Sequence, residues 1–241
     1  MDVELGASVG AAKRRLAEFA GVAREMARQP DLETTVSTVV QQARQARLGE
    51  AVGLFLVDAR SITAVASSEP DVARADALQL ECGEGPGVEA IMRRRDFISG
   101  DLRLDGRWRF WGPQAARLGW LSMLSVGLGD GDTIGALTVY SRLPRFFSEE
   151  DLGVAEVFAT HAALAVANAR ERQSLLKAVE ARHLIGQAQG ILMERYEVDA
   201  EQAFNVLRRY SSHGNRKLRL VAAEIVDHRR LPDDPALSSA G

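Results

Sequence analysis

Apolar residues recur at three- and four-residue intervals from Ala7 to Arg28, through Ala11, Ala12, Leu16, Phe19, Ala20, Ala23 and Met26. That interval lines one face of a helix. Pro30 and Asp31 end it. The interval then resumes through Leu32, Val36, Val39, Val40 and Ala43, with Asp31 placed to cap a second helix reaching Ala46. After Glu50 the pattern changes to a strand vocabulary. Residues 51–57, 61–67 and Leu78-Gln79-Leu80 read as strands, and so do 121–128 and 133–141 on either side of Gly129-Asp130-Gly131-Asp132, a hairpin turn. Helices, strands, a long middle connection and strands again predict an α+β fold, with helices on one side of an antiparallel sheet.

Beyond Phe147 the helical interval returns and persists. Ser148 is placed to cap, and Glu149, Glu150 and Asp151 oppose the positive end of a helix dipole. From there to Tyr196 no proline interrupts, and apolar positions run through Leu152, Ala155, Phe158, Ala159, Ala162, Ala165 and Val166, then Leu175, Leu176, Val179, Ile185, Ala188 and Leu192. A helix of that length has to leave its own domain, joining two domains and packing on a partner helix at its middle. Two helices broken near Asn168 to Arg172 are the alternative. The last quarter predicts short helices. Asp199 with Gln202 has capping-box form, Gly214 stands where a left-handed residue ends a helix, and Asn215 is placed to cap the next one over residues 216–229. Pro232 and the small polar residues after it read as a loose tail.

Composition narrows the class without choosing it. The chain has 241 residues, 46% hydrophobic and 26% charged, with 30 basic against 33 acidic side chains and a formal net charge of -3. Disorder and fibrous classes do not fit this balance. A single cysteine, Cys82, excludes an internal disulfide framework and a four-thiolate zinc site. The N-terminus lacks a signal-peptide core, and no contiguous apolar run approaches the roughly 20 residues of a membrane span, so a soluble cytoplasmic protein is expected, with no membrane partner.

Catalytic constellations are missing. Gly83-Glu84-Gly85-Pro86-Gly87 is glycine-rich, but no Lys-Ser/Thr follows and Pro86 removes a backbone donor, so it reads as a tight connection before a helix over residues 88–94. The 4 histidines, His161, His183, His213 and His228, are scattered, and no zinc or serine-nucleophile arrangement appears. Cys82 reads as a small apolar filler beside a turn. No catalytic residue and no metal ligand is expected, and the protein is not expected to be an enzyme.

One charge distribution does point to chemistry. Between Gln202 and Ala223 lie Arg208, Arg209, Arg216, Lys217 and Arg219, without a single acid. They flank a hinge between two short helices, with Ser211, Ser212, His213 and Asn215 interleaved. Basic side chains attract phosphate, while hydroxyl and amide groups can bond base edges.

The same region resembles the ANTAR domain. The resemblance is carried by Arg182, Ile185, Ala188, Gly190, Leu192 and Met193, then Ala203-Phe204, Leu207-Arg208 and Ser211, then Asn215, Lys217-Leu218 and Val221-Ala222. It implies a three-helix bundle that binds paired hairpins in nascent leader RNA as a dimer, with Arg182 and Gln189 added to Arg208, Arg209, Ser211, Asn215, Arg216, Lys217 and Arg219 as RNA-binding positions. Two positions depart from the family pattern. Gln189 stands where a lysine often precedes the glycine, and Leu220 where an aspartate often precedes Val-Ala. Loss of that lysine is expected to weaken RNA affinity or shift the RNA preferred.

The preceding region resembles a GAF domain of the kind fused to ANTAR in actinobacterial regulators. The residues are Leu80 to Pro86, Gly119, Ser122, Leu124-Ser125, Gly135-Ala136-Leu137, Val139-Tyr140-Ser141 and Phe147-Ser148-Glu149. The resemblance implies an antiparallel sheet with helices behind it and a sensory role, with a small-molecule ligand of unknown identity. The expected organisation is an N-terminal helix over 1–30 that contributes to a dimer contact, a GAF domain over 31–170, an ANTAR domain over 171–231 and a flexible tail over 232–241. Together the two resemblances imply a signal-responsive antiterminator acting as a homodimer on RNA. A DNA-binding regulator, using the last two helices as a helix-turn-helix, and an interaction module with a degenerate ANTAR domain are the alternatives.

Overall fold

The computed structural model describes residues 20–59, 61–129 and 132–231. The chain divides into two compact units, Met1–Glu171 and Arg172–Gly241. The first is built on five antiparallel strands, β1 (Ala51–Asp58), β2 (Ser61–Ser67), β3 (Phe97–Ser99), β4 (Ser122–Leu128) and β5 (Gly135–Ser141), in the order β2-β1-β5-β4-β3. Strands β1, β4 and β5 are buried along nearly their whole length, which explains their continuous apolar runs. Successive side chains enter opposite faces.

One face takes Val52, Leu54, Leu56, Leu124, Val126, Leu137 and Val139. It is covered by helix α1 (Leu32–Gln45), by Met26 from the helical residues 20–27, and by Phe158, Ala162 and Val166 from a long C-terminal helix. The α1 cap is the expected one, Asp31 accepting from the Thr34 amide at 2.8 Å. Helices α2 (Pro70–Cys82), α3 (Pro86–Arg93) and α4 (Trp111–Arg117) cover the other face, where Phe55, Met123, Ala136 and Tyr140 meet Trp108, Trp111 and Trp120. Phe97, Trp108 and Trp111 stack edge to face, with centroids 5.8 and 5.7 Å apart.

Helices therefore sit on both sides of the sheet, not one. The expected strand at Leu78-Gln79-Leu80 lies inside α2. Pro70 opens that helix at a position that needs no amide donor, and Gly83 closes it in the left-handed conformation. Its buried face is Val72, Ala75, Asp76 and Gln79, a helical interval half of whose members are polar. An apolar-only pattern cannot show it.

Helix α5 runs unbroken from Glu149 to Tyr196, so the two-helix alternative does not hold. Its start is reciprocal, Ser148 donating its amide to Asp151 at 2.9 Å while the Ser148 hydroxyl accepts from the Asp151 amide. One 18-residue stretch of α5 is apolar enough to cross a membrane by length and composition, though no contiguous apolar run suggested it; 44% of that stretch is buried within the protein. Phe158, Ala162 and Val166 lie in the first unit's own core. In the first unit α5 exposes Val154, Val157 and Leu164; in the second it exposes Leu175, Leu176 and Val179. Ala11, Leu16 and Phe19, the turn residues Asp130 and Gly131, and the expected tail lie outside the described residues.

Candidate functional site

The second unit is a small helical core. The end of α5 packs with α6 (Ala200–His213) and α7 (Leu218–His228) through Ala188, Leu192, Ala203, Leu207, Val221, Ala222 and Ile225. Its helix ends are tied by side chains. Asp199 and Gln202 form the expected capping box, at 2.8 and 3.0 Å. Gln189 donates to the Ala200 carbonyl at 3.0 Å, and Arg195 donates to the Arg229 carbonyl at the end of α7 at 2.6 Å. Gln189, expected at an RNA contact, is thus partly committed to holding α6 against α5.

The hinge between α6 and α7 differs from expectation. Gly214 is right-handed, φ -82°, and the left-handed residue is Asn215, φ 47°. The Asn215 amide bonds Ser212 and the Arg216 amide bonds Ser211, at 3.3 and 3.0 Å, the paired hydrogen bonds of a Schellman ending with asparagine at its left-handed position. Asn215 does not cap α7, which starts at Leu218 after Lys217. Ser211 donates its hydroxyl to the Arg216 carbonyl at 2.7 Å. Both polar hinge residues have structural work, and the exposed Asn215 side chain carries none of it.

Among the cations, Arg182, Arg208, Arg209, Lys217 and Arg219 are exposed, and none of them is ion-paired among the described residues. Arg216 is different, since Glu224 holds it at 2.6 Å. The acid-free stretch ends one residue before that glutamate, so a patch read from sequence alone overstates the free charge by one. Gly186 and Gly190 are exposed on α5, and a Cβ at either would meet nothing. Close packing is therefore not the reason for Gly190.

The first unit holds a polar centre that sequence reasoning missed. Asp76 on α2 is fully buried. Its Oδ1 accepts from the Tyr140 hydroxyl at 2.6 Å and from the Gln79 amide at 3.4 Å, while its Oδ2 has no partner. Gln79 also donates to the Tyr140 oxygen at 3.0 Å and accepts from the Gly87 amide at 2.7 Å, fixing the start of α3. Burial pushes the Asp76 carboxyl up to about 7, against the lowering effect of the bonds from Tyr140 and Gln79. Burial, and then the neighbouring carboxyl, raise the Tyr140 hydroxyl well above its ordinary value.

Glycine makes room for this centre. A Cβ at Gly53 on β1 would collide with the Asp76 carboxylate, and one at Gly85, φ 137°, would strike the Gln79 side chain. The glycine-rich loop is thus the helix connection expected and also the seat of Gln79. The signal available in the sequence was the interval Val72, Ala75, Asp76, Gln79 between Pro70 and Gly83. Cys82 is exposed, with the Gln114 amide 3.8 Å from its sulfur. No cluster of metal ligands occurs among the described residues.

Comparison with known proteins separates the two units in the same way. Residues 29–167 match the family model of the GAF domain, and residues 173–226 match that of the ANTAR domain. No curated protein matches the chain. Among solved structures, free methionine-R-sulfoxide reductase from Neisseria meningitidis, in complex with its substrate, is similar at 20% identity and a TM-score of 0.52, over 64% of this chain and 89% of that one. The GAF domain of a phosphoenolpyruvate-protein phosphotransferase from Coxiella burnetii is similar at 20% identity and a TM-score of 0.54, over 66% of this chain and 96% of that one. At such identities these two likenesses establish the fold alone.

Proposed function

This chain belongs to the GAF-domain family and carries an ANTAR domain behind it, and on that premise we propose that it is a signal-responsive RNA-binding antiterminator. The observation that supports this most is the set of exposed cations Arg208, Arg209, Lys217 and Arg219 around the α6–α7 hinge, unneutralised by any ion pair among the described residues. Four such charges can each displace a counterion from a phosphate backbone. Arg182 on α5 adds a fifth, and Asn215 presents an uncommitted amide at the hinge. Arg216 enters only by exchanging Glu224 for phosphate.

The protein makes and breaks no bond in this reading. It binds one arrangement of hairpins in a leader transcript more tightly than the competing terminator, and so shifts the RNA between two folds. The GAF domain supplies the signal through a small-molecule effector. The working form is a cytoplasmic homodimer, because Val154, Val157 and Leu164 leave an apolar strip on the first unit's part of α5 that a second copy covers. Two copies meeting two hairpins gain avidity through effective concentration.

Binding of the full chain to a double-hairpin RNA and to duplex DNA of matched length, each titrated with salt, tests the reading. Tighter RNA binding whose logarithm falls linearly with the logarithm of salt concentration is expected. Preference for the duplex assigns the same cations to DNA, and no binding to either assigns the second unit to protein contacts.

A further inference from the structure

Strand β2 is an edge of the sheet, so one row of its backbone amides and carbonyls faces away from β1 with no strand to bond. It reads Ser-Ile-Thr-Ala-Val-Ala-Ser, with neither a charge nor a proline to turn a further strand away. The other edge, β3, is blunted by its shortness, at three residues. A bulge at Val65, the one residue of β2 without a partner in β1, bends the β2 edge without covering it.

There is room beside this edge on both faces. A cleft of about 590 Å³ lies between β2 and α1, and one of about 390 Å³ between β2 and α2. Val65, Ala66 and Ser67 line both, although successive side chains of a strand enter opposite faces, so both clefts reach the free edge itself. The two walls differ in chemistry. On the α2 side Ala73, Ala77 and Leu80 are apolar, and the Asp76 carboxylate is turned away, its Oδ2 against Gly53. On the α1 side Ser37, Gln41, Arg44 and Gln45 recur at helical spacing along one face. None of these four side chains has a hydrogen-bond or ion-pair partner, and no acid lines their cleft, among the described residues.

We propose that the β2 edge docks an extended segment of a partner protein as a sixth strand, one in which acidic side chains alternate with small apolar ones. Main-chain bonds to β2 hold the segment, and the two walls select its sequence. Every second side chain enters the α1 cleft, where Arg44 attracts a carboxylate and the Gln41 and Gln45 amides can donate to it. The intervening side chains enter the smaller cleft, whose alanine-lined wall suits a residue of valine size and offers a charge nothing in exchange for its water. A second copy of this chain fits less well. Pairing β2 with β2 about a two-fold axis brings a second α1 to the same face, with another Arg44 and again no acid. The site goes beyond the RNA reading and does not depend on it.

Anisotropy titration of the full chain with the fluorescein-labelled peptide Ser-Val-Glu-Val-Glu-Val-Ser tests this. Saturable binding is expected, about tenfold tighter than that of peptides with lysine or threonine in place of glutamate. Arg44→Gln, at an exposed position, should weaken it about tenfold with an unchanged melting temperature, whereas Arg47→Gln, exposed but outside the cleft, should change it about twofold at most. Methylating the peptide's backbone nitrogens separates a strand from any other bound form. One alternate set of methyl groups should abolish binding and the other set leave it, because only every second amide of an added strand faces β2. Hydrogen exchange of amides 62–66 should slow on binding. No binding of the glutamate peptide, equal binding of the lysine peptide, equal losses at Arg44 and Arg47, or equal effects of the two methylated sets overturns the proposal. Protection of all those amides before peptide is added also overturns it. Protection that grows with protein concentration assigns the edge to a second copy, and protection independent of concentration assigns it to the chain itself.

Discussion

Residues 93–109 of the first unit hold six arginines, and residues 208–219 of the second hold five basic side chains, but the protein uses the two sets differently. In the first, Arg93 pairs with Glu89, Arg103 with Asp101 and Arg107 with Asp105, at 3.0, 2.6 and 2.5 Å. Arg107 also lies 4.6 Å over the Trp108 ring and donates to the Ile98 carbonyl, and Arg95 lies 5.1 Å over Phe97. These guanidiniums fasten the connection around β3 to the tryptophan layer. Of the five cations in the second set, Arg216 alone is ion-paired among the described residues. Density of arginine is therefore no guide to a binding face; what matters is whether the fold brings a carboxylate against each guanidinium, as it does for Arg216 and Glu224 eight residues apart. The first unit pairs its surface arginines and also buries an acid, Asp76, while the second leaves four of its five hinge cations unpaired in solvent. Disturbing the buried acid should change stability, disturbing the second set should change binding, and disturbing an exposed ion pair of the first set should change neither by much.

The largest effect is expected at Asp76. Its carboxyl has an ordinary value of 3.8 and a folded value of about 7. Between those values the folded chain holds a proton that the unfolded chain has released, so stability declines as pH rises through the window and levels off above 7. The loss is of the order of 4 kcal/mol. Asp76→Asn is neutral throughout, so it should be more stable than the wild type at pH 8 and show a flatter profile. Urea melts of both proteins at pH 5 and pH 8 measure this. Parallel profiles would mean that the acid is ionised in the fold, and the inward half of the comparison would break.

Next come the free cations. Arg208→Glu with Arg209→Glu should weaken binding to double-hairpin RNA about 100-fold and lower the salt slope by about two. Arg103→Glu, which removes one partner of an exposed ion pair in the first unit, should leave both unchanged. The melting temperature should move little in either case, since exposed pairs contribute about 0–1 kcal/mol. Anisotropy titrations at three salt concentrations check it, and equal losses at both places would show that long-range charge, not a face, binds RNA.

How far each unit was legible follows from the same contrast. In the second, the signals are local and of one kind: a capping box at Asp199 and Gln202, then Ala203, Leu207, Val221, Ala222 and Ile225 at helical spacing, all in the core. The central strands were legible because their runs are apolar on both faces. What failed lay between them. Helix α2 buries an acid and an amide, so its face does not look apolar, and Leu78-Gln79-Leu80 imitates a strand over three residues. Strand β3 spans three residues, and α4 spans seven and opens Trp-Gly-Pro, too short for any period to show. The polar centre joins Asp76 to Tyr140, 64 positions apart, a distance that only the folded sheet closes. At the hinge, Gly214 drew the left-handed assignment by residue type, yet Asn215 takes it.

That hinge supplies a sharper test. Asn215→Gly keeps the left-handed conformation and removes the side chain, while Asn215→Ala also strains the backbone by roughly 1 kcal/mol. The glycine variant should melt within a few tenths of a kcal/mol of the wild type, and the alanine variant should melt lower. A severalfold loss of RNA affinity in the glycine variant assigns the amide to the RNA. Unchanged affinity confines Asn215 to the turn and moves it to the structural side of the comparison.

The smallest expected effects are at Gly186 and Gly190. Each occupies an exposed position of α5 where a Cβ would meet nothing, so alanine should stabilise the helix at each by up to roughly 1 kcal/mol. The two differ in their neighbours along the helix. Gly190 follows Gln189, which is bonded to the first residue of α6, whereas Gly186 lies a turn further from that contact. If RNA approaches the bare backbone where α5 meets α6, Gly190→Ala should raise the melting temperature and lower RNA affinity. Gly186→Ala should raise the melting temperature alone. Thermal melts alongside anisotropy titrations decide it. A fall in melting temperature at Gly190 would restore a packing role that the open space around it now argues against, whereas equal gains with unchanged binding would confine the RNA face to the α6–α7 hinge.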